Sequence, residues 1–212
     1  AVQAGKKVHI ETWGCQMNAA DSERMLALLA EQNYTLTQSA DEADLVLLNT
    51  CHIRAKARHK VLSRLGILRE MKRDRPGMKI AVTGCVAQAE GRRLLKAAPQ
   101  IDVLVGPGKI DELPRLLQEH VSTGQSTMAT GFARHHNHEE HANEDESATT
   151  TEPVEVVAPP TLSGKREVSR YVNIQQGCNN YCTFCVVPFT RGREVSRSVS
   201  EIVAESQALL TS

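Results

Sequence analysis

Between positions 6 and about 120 the apolar residues follow two alternating rhythms. Lys7-Val-His-Ile-Glu-Thr-Trp13 alternates apolar and polar side chains, the period of a strand. Residues 21–32 place Met25, Leu28 and Leu29 at helical spacing, with Asp21 or Ser22 able to cap the helix start. Asp44-Leu-Val-Leu-Leu-Asn49 is a short apolar run, the pattern of a strand buried on both faces. A long helix over 54–73 follows, with Leu62, Leu65 and Leu68 inward. Strand 79–83, helix 88–98 ended by Pro99, strand 101–105 and helix 111–120 complete the series. Such alternation predicts an α/β fold, a doubly wound parallel sheet of four to five strands covering residues 6–121.

Residues 122–163 break the rhythm. Arg134-His-His-Asn-His-Glu-Glu-His141 runs into an acidic, threonine-rich stretch and then Pro153, Pro159 and Pro160. Few of these residues can bury surface, which predicts a disordered or extended linker. Its four histidines could bind a metal, but no rigid frame fixes ligand geometry, so a solvated linker is the better reading. Pattern resumes with a strand over 168–174. Ser198-Val-Ser-Glu201 is a capping box opening a helix with Val199, Ile202, Val203, Ser206, Leu209 and Leu210 on one face. One strand and one helix cannot make a core of their own. Residues 164–212 are therefore expected to be the start of a larger domain, and the chain a fragment of a longer protein.

Composition changes this picture little. Of 212 residues, 41% are hydrophobic and 24% charged, the range of an ordinary globular protein, and the net charge is zero. That balance hides a basic stretch, nine Lys or Arg over 54–75, and an acidic one, seven Asp or Glu over 139–155. The basic helix could steer RNA phosphates; a solvated helix face explains it more simply. Aromatic residues are 3%, too few for a base-stacking platform. No apolar run approaches the roughly 18 residues of a membrane span, and no charged-then-apolar leader opens the chain. A cytoplasmic protein with no membrane partner is expected.

The candidate chemistry lies in six cysteines. Without a leader, they point to metal or redox chemistry more than to a disulfide framework. Cys178, Cys182 and Cys185 are spaced Cys-x3-Cys-x2-Cys, and three thiolates can hold three irons of a 4Fe-4S cluster while leaving the fourth open. A zinc site would want a fourth ligand, and none stands nearby at standard spacing. Cys182 and Cys185 alone could be a dithiol pair, which leaves Cys178 unexplained. Cys15, Cys51 and Cys85 are distant in sequence, yet each directly follows an expected strand. In a parallel sheet those strand ends share one edge, where ligands bind. Three buried small hydrophobes are the competing reading; the first motif tips the balance towards a second cluster.

Four segments carry a resemblance: Trp13-Gly-Cys-Gln-Met-Asn-Ala-Ala-Asp-Ser-Glu23, Asn49-Thr-Cys51, Thr83-Gly-Cys-Val-Ala-Gln88 and Gly177-Cys-Asn-Asn-Tyr-Cys-Thr-Phe-Cys-Val-Val-Pro-Phe-Thr-Arg-Gly-Arg-Glu194. Together they resemble the radical S-adenosylmethionine methylthiotransferases. The wording is similar to the tRNA-modifying branch; the ribosomal-protein branch typically has Gly-Cys-Pro-Lys-Asn where this chain has Gly14-Cys-Gln-Met-Asn18. His52-Ile-Arg-Ala after Cys51 departs from that branch, which more often has a small residue followed by Val-Arg. The resemblance implies a 4Fe-4S cluster on Cys178, Cys182 and Cys185 that binds S-adenosylmethionine and makes a 5′-deoxyadenosyl radical, with Phe184 near the adenine. It implies an auxiliary 4Fe-4S cluster on Cys15, Cys51 and Cys85 that carries the sulfur to be methylated and inserted. The implied reaction is methylthiolation at C2 of N6-dimethylallyladenosine beside the anticodon. Implied partners are the tRNA anticodon arm, an electron donor such as flavodoxin or ferredoxin, and a sulfur or cluster donor. No catalytic residue beyond the six ligands is implied, and residues 1–212 alone are expected to be inactive on tRNA. The alternatives are a ribosomal-protein methylthiotransferase and a non-catalytic Fe–S or zinc-binding truncated paralogue.

Overall fold

A computed structural model describes residues 5–52, 55–132 and 170–211. The linker histidines, and Arg54 of the basic stretch, lie outside the described residues.

Six strands form one parallel sheet: β1 (Lys6–Trp13), β2 (Tyr34–Leu36), β3 (Leu45–Thr50), β4 (Lys79–Gly84), β5 (Val103–Val105) and β6 (Thr127–Ala129), in the order β2-β1-β3-β4-β5-β6. The four strands with apolar or alternating runs are where the pattern puts them. β2 and β6 are three-residue edge strands, too short and too polar to leave a periodic signal, and β6 falls within the stretch whose composition predicts a linker.

Every residue of β3 is buried, as its apolar run requires. Its side chains alternate between two cores. Val46 and Leu48 join Ile80, Val82 and Leu104 beneath α2 (Ala55–Asp74), α3 (Cys85–Glu90) and α4 (Arg92–Ala97). Leu45 and Leu47 join Ala81, Val103 and Val105 beneath α1 (Gln16–Ala30) and α5 (Leu113–Thr123). Helices on both faces of a parallel sheet are the doubly wound arrangement, and burial of each such Leu or Val is worth about 1.5–3 kcal/mol.

Two helices differ from their sequence pattern. α1 starts five residues earlier than its apolar spacing predicts, with Cys15 at its N-cap. Asp21 and Ser22 therefore do not cap it; both are buried inside it. The expected helix 88–98 is two short helices, α3 and α4, broken at Gly91.

Of the expected strand 168–174, residues 168–169 lie outside the described residues. Residues 170–174 have no strand pairing; β7 (Gln175–Gln176) pairs antiparallel with β8 (Val195–Ser196). The cysteine loop and α6 (Val187–Arg191) lie between them, and α7 (Val199–Thr211) follows. Its capping box is reciprocal: Glu201 N–H donates to Ser198 Oγ (3.3 Å) and Ser198 N–H to Glu201 Oε2 (3.1 Å).

Candidate metal centres at one sheet edge

Strand order reverses between β1 and β3, since β2 lies outside β1 while β4 to β6 continue beyond β3. The crevice outside the carboxyl ends of such strands is where open α/β sheets bind ligands. Register carries Cys15, Cys51 and Cys85 there. Trp13 pairs with Thr50, and Thr50 with Gly84, so the three cysteines leave three adjacent strands at one level. Cys51 N–H donates to the Trp13 carbonyl (2.8 Å), tying one cysteine directly to the strand that delivers another. Adjacent strands are about 4.8 Å apart, so the edge gathers residues that sequence holds far apart.

The backbone at this edge is tightly specified. Gly84 sits at φ +86°, and a Cβ there would lie 2.5 Å from the Thr50 carbonyl oxygen and 2.6 Å from Asn49 Oδ1. Only glycine fits, and it turns β4 sharply into α3, which begins at Cys85. Below the turn a buried polar network closes. Asn18 Nδ2 donates to Asn49 Oδ1 (2.9 Å); Asn49 Nδ2 donates to the Asn18 carbonyl (2.7 Å) and to Ser22 Oγ (2.8 Å); Ser22 meets Thr12 Oγ1 at 2.7 Å. Asn18 also accepts from the Cys15 N–H at 3.4 Å. Each amide thus has partners despite burial, and the network joins the Cys15 turn to the end of β3.

Cys51 and Cys85 are buried and Cys15 is exposed; all six cysteines are free of disulfides. Burial pushes the Cys85 thiol pKa up; the Arg191 guanidinium and the Thr190 hydroxyl act the other way, and Cys51 raises it further. Arg191, from α6, is buried and donates to Asp21 Oδ2 at 2.6 Å. Burial pushes the Asp21 pKa up, opposed by Arg191 and Arg24. For Arg191 itself burial acts to lower the pKa, but Asp21 and Cys85 outweigh it and hold the guanidinium charged. Thr83 Oγ1, two positions before Cys85, is buried without a hydrogen-bond partner among the described residues. In the ligand-free chain no three His, Cys, Asp or Glu side chains among the described residues stand at metal-holding separation. The donor set nonetheless fits an iron–sulfur group: three thiols on one edge, none in a disulfide, near a buried cation, which suits an anionic centre.

The second set is local. Gly177 opens the loop at φ +79°, where a Cβ would collide with the Arg193 carbonyl. Cys178 N–H donates to the Gly192 carbonyl (3.1 Å), Glu194 N–H to Asn179 Oδ1 (3.0 Å) and Cys185 N–H to the Cys182 carbonyl (2.9 Å). The loop is thus closed on the strand pair that flanks it. Phe184, expected near an adenine, is 95% exposed.

The basic helix is largely engaged within the fold. Lys60 lies over the Trp13 ring (4.3 Å), Arg64 pairs with Glu11 (2.5 Å), Arg58 with Glu90 (3.3 Å) and Lys72 with the buried Asp102 (2.5 Å). A structural role accounts for these four cations. Sequence reasoning assigned no role to Asn18, Asn49 or Arg191 and read Asp21 only as a possible helix cap; the available signal was an Asn closing a fully apolar strand and an Asp inside a helical run.

The model of "Uncharacterized protein family UPF0004" matches residues 7–106, which hold β1 through β5 and the first three cysteines. The chain is 45% identical over 213 residues to a tRNA-2-methylthio-N(6)-dimethylallyladenosine synthase of Bartonella henselae, covering 98% of this chain and 43% of that protein. A Ruegeria protein of the same name is 40% identical over 209 residues, covering 99% of this chain and again 43% of its own length. The chain thus spans less than half the length of these curated relatives. Residues 7–106 match that family model, and nearly the whole chain is similar to part of these synthases.

Proposed function

We propose that this chain is part of a tRNA methylthiotransferase that acts at C2 of N6-dimethylallyladenosine beside the anticodon. The observation that carries the reading is identity of 40–45% across 98–99% of the chain to proteins bearing that name. Those names favour the tRNA-modifying branch over the ribosomal-protein branch.

Cys15, Cys51 and Cys85 would hold one 4Fe-4S cluster and Cys178, Cys182 and Cys185 another, with Phe184 against the adenine of S-adenosylmethionine. When bound, these groups supply what side chains lack, radical activation of an inert C–H bond and a sulfur to insert. The chain's own residues position and shield. The Gly84 turn and the Asn18–Asn49 network fix the first thiols at the switch-point crevice. The Gly177 loop presents the second set outward, where a cosubstrate reaches it. Arg191 keeps a positive charge beside Cys85 while protein packing excludes water from Cys51 and Cys85. The tRNA anticodon arm, an electron donor of the flavodoxin or ferredoxin class and a sulfur or cluster donor are the partners this reading requires. No helix among the described residues is long and apolar enough to cross a membrane, and a cytoplasmic location fits the tRNA substrate.

Anaerobic reconstitution tests the reading. The chain should bind iron and sulfide at both sets, and Cys15→Ala/Cys51→Ala/Cys85→Ala should remove about half of each. After reduction, S-adenosylmethionine should perturb the paramagnetic resonance signal of that triple variant. Zinc alone, or no sulfide, would point to the non-catalytic alternative.

A further inference from the structure

Arg191 lies where three elements meet, and none of its contacts is local. It ends α6, in the same turn-and-helix segment that follows Cys185, and its side chain is 4% exposed. One contact is Asp21 Oδ2, 2.6 Å away on α1, the helix whose N-cap is Cys15. Its charge also acts on the Cys85 thiol, at the start of the helix against which α6 lies. A second arginine repeats the connection: Arg170 Nη1 stands 3.4 Å from Glu23 Oε2, on the same helix. α6 packs on α3, which Cys85 begins.

We propose that Arg191 is a positioning residue that locks the loop of Cys178, Cys182 and Cys185 onto the sheet edge of Cys15, Cys51 and Cys85, and sets the charge at that edge. The inference rests on the reading that the first three cysteines hold a metal centre. Physical chemistry supports a geometric role over a stabilising one. Desolvating both Asp21 and Arg191 offsets most of their attraction, so a buried pair is weak evidence of net stability. What the pair provides is direction. A guanidinium is a rigid planar fork with five donors, so it can serve a carboxylate on one edge and a sulfur on another at once. A lysine carries the same charge but offers no such fork. Fixed on Asp21 of α1 and carried by a helix that packs on α3, the fork holds the two cysteine loops in one register. It also leaves a positive charge beside a thiolate, where net charge and hydrogen bonds to sulfur govern the potential of an iron–sulfur centre.

The test uses the chain with Cys178→Ala/Cys182→Ala/Cys185→Ala, so that only the first set loads, and compares Arg191, Arg191→Lys and Arg191→Met by redox titration. Arg191→Met should move the midpoint of the remaining centre to more negative potential, because the cation stabilises the reduced, more negative form. Arg191→Lys should recover most of that shift. If Arg191→Met misfolds, Arg191→Gln removes the charge while keeping a donor towards Asp21, and should show the same shift. In metal-free protein of the original sequence, Arg191→Met and Arg191→Lys should both speed amide exchange in the first turns of α1 by about tenfold. An unchanged midpoint in a loaded Arg191→Met or Arg191→Gln variant overturns the charge role, and unchanged exchange overturns the lock. Absence of iron and sulfide from the parent triple variant instead overturns the metal reading, and the exchange arm still decides the lock.

Discussion

Cys15, Cys51 and Cys85 are spread from position 15 to position 85, whereas the second set fits between 178 and 185. The first set exists only because β1, β3 and β4 pair in register, so it is a product of tertiary structure. The second is closed by hydrogen bonds within its own loop and flanking strands. Their surroundings differ likewise. Residues 5–132 enclose two cores and expose Ile67 and Val121, while residues 170–211 expose eight large apolar side chains, Phe184 and Phe189 among them. A set made by topology must fail when the sheet fails; a set made by local turns need not. Contacts such as Arg191–Asp21 are what make the two interdependent.

Cysteine reactivity should separate the sets most widely. In metal-free protein at neutral pH, exposed Cys15 and Cys182 should alkylate first and buried Cys85 last. An opening cost of only 2.7 kcal/mol would slow Cys85 about a hundredfold, and peptide mapping of a timed iodoacetamide reaction measures it. Because burial raises the Cys85 pKa above its ordinary 9.0, the folded chain holds that proton at pH values where the unfolded chain has lost it. The stability contributed by keeping the thiol neutral is complete below the ordinary value and is lost as pH rises through the folded one. Urea midpoints should therefore fall above pH 9, and Cys85→Ser should change that slope. Labelling of Cys85 as fast as Cys182 would erase the distinction between the sets.

Core truncation comes next. Leu47→Ala, at 0% exposure in the centre of β3, should cost about 2–5 kcal/mol. It should also expose Cys51 and Cys85 to alkylation while leaving Cys182 unchanged. Equal acceleration of all six would mean that the loop depends on the sheet more than its own bonds suggest. Asn49→Ala is a milder form of the same cut. It strips partners from Asn18 and Ser22 and should cost about 1–3 kcal/mol in thermal or urea unfolding. The increase in labelling should concentrate on Cys15 and Cys51.

How far sequence alone reaches follows the same division. Leu45 to Leu48 announce a doubly buried strand, and three strand ends followed by cysteine announce that the thiols share one sheet edge, because parallel topology needs no atomic detail. The Cys-x3-Cys-x2-Cys spacing is local and reads directly. Asp21 reads as a cap because an acid before an apolar run usually is one; its partner Arg191 lies 170 positions away, beyond the range of any periodicity. Gly91 breaks a pattern that continues on both sides of it. Over 170–174 the alternation finds no partner strand among the described residues, and pairing falls instead on Gln175 and Gln176.

The smallest effects belong to the second region. Ser198→Ala removes one side of the α7 capping box and should cost about 1 kcal/mol of local helix stability, read as faster amide exchange over residues 199–203 and little else. Phe184→Ala should change unfolding free energy by no more than about 0.5 kcal/mol, since a side chain 95% exposed has almost no packing to lose. Its consequence should instead appear in binding. With the second set loaded, loss of the aromatic face should weaken S-adenosylmethionine, detected as a higher concentration needed to perturb the resonance signal. If Phe184→Ala instead lowered stability as much as Asn49→Ala does, residues 170–211 would have to be packing through that ring, and the contrast between an enclosed set and a presented one would be lost.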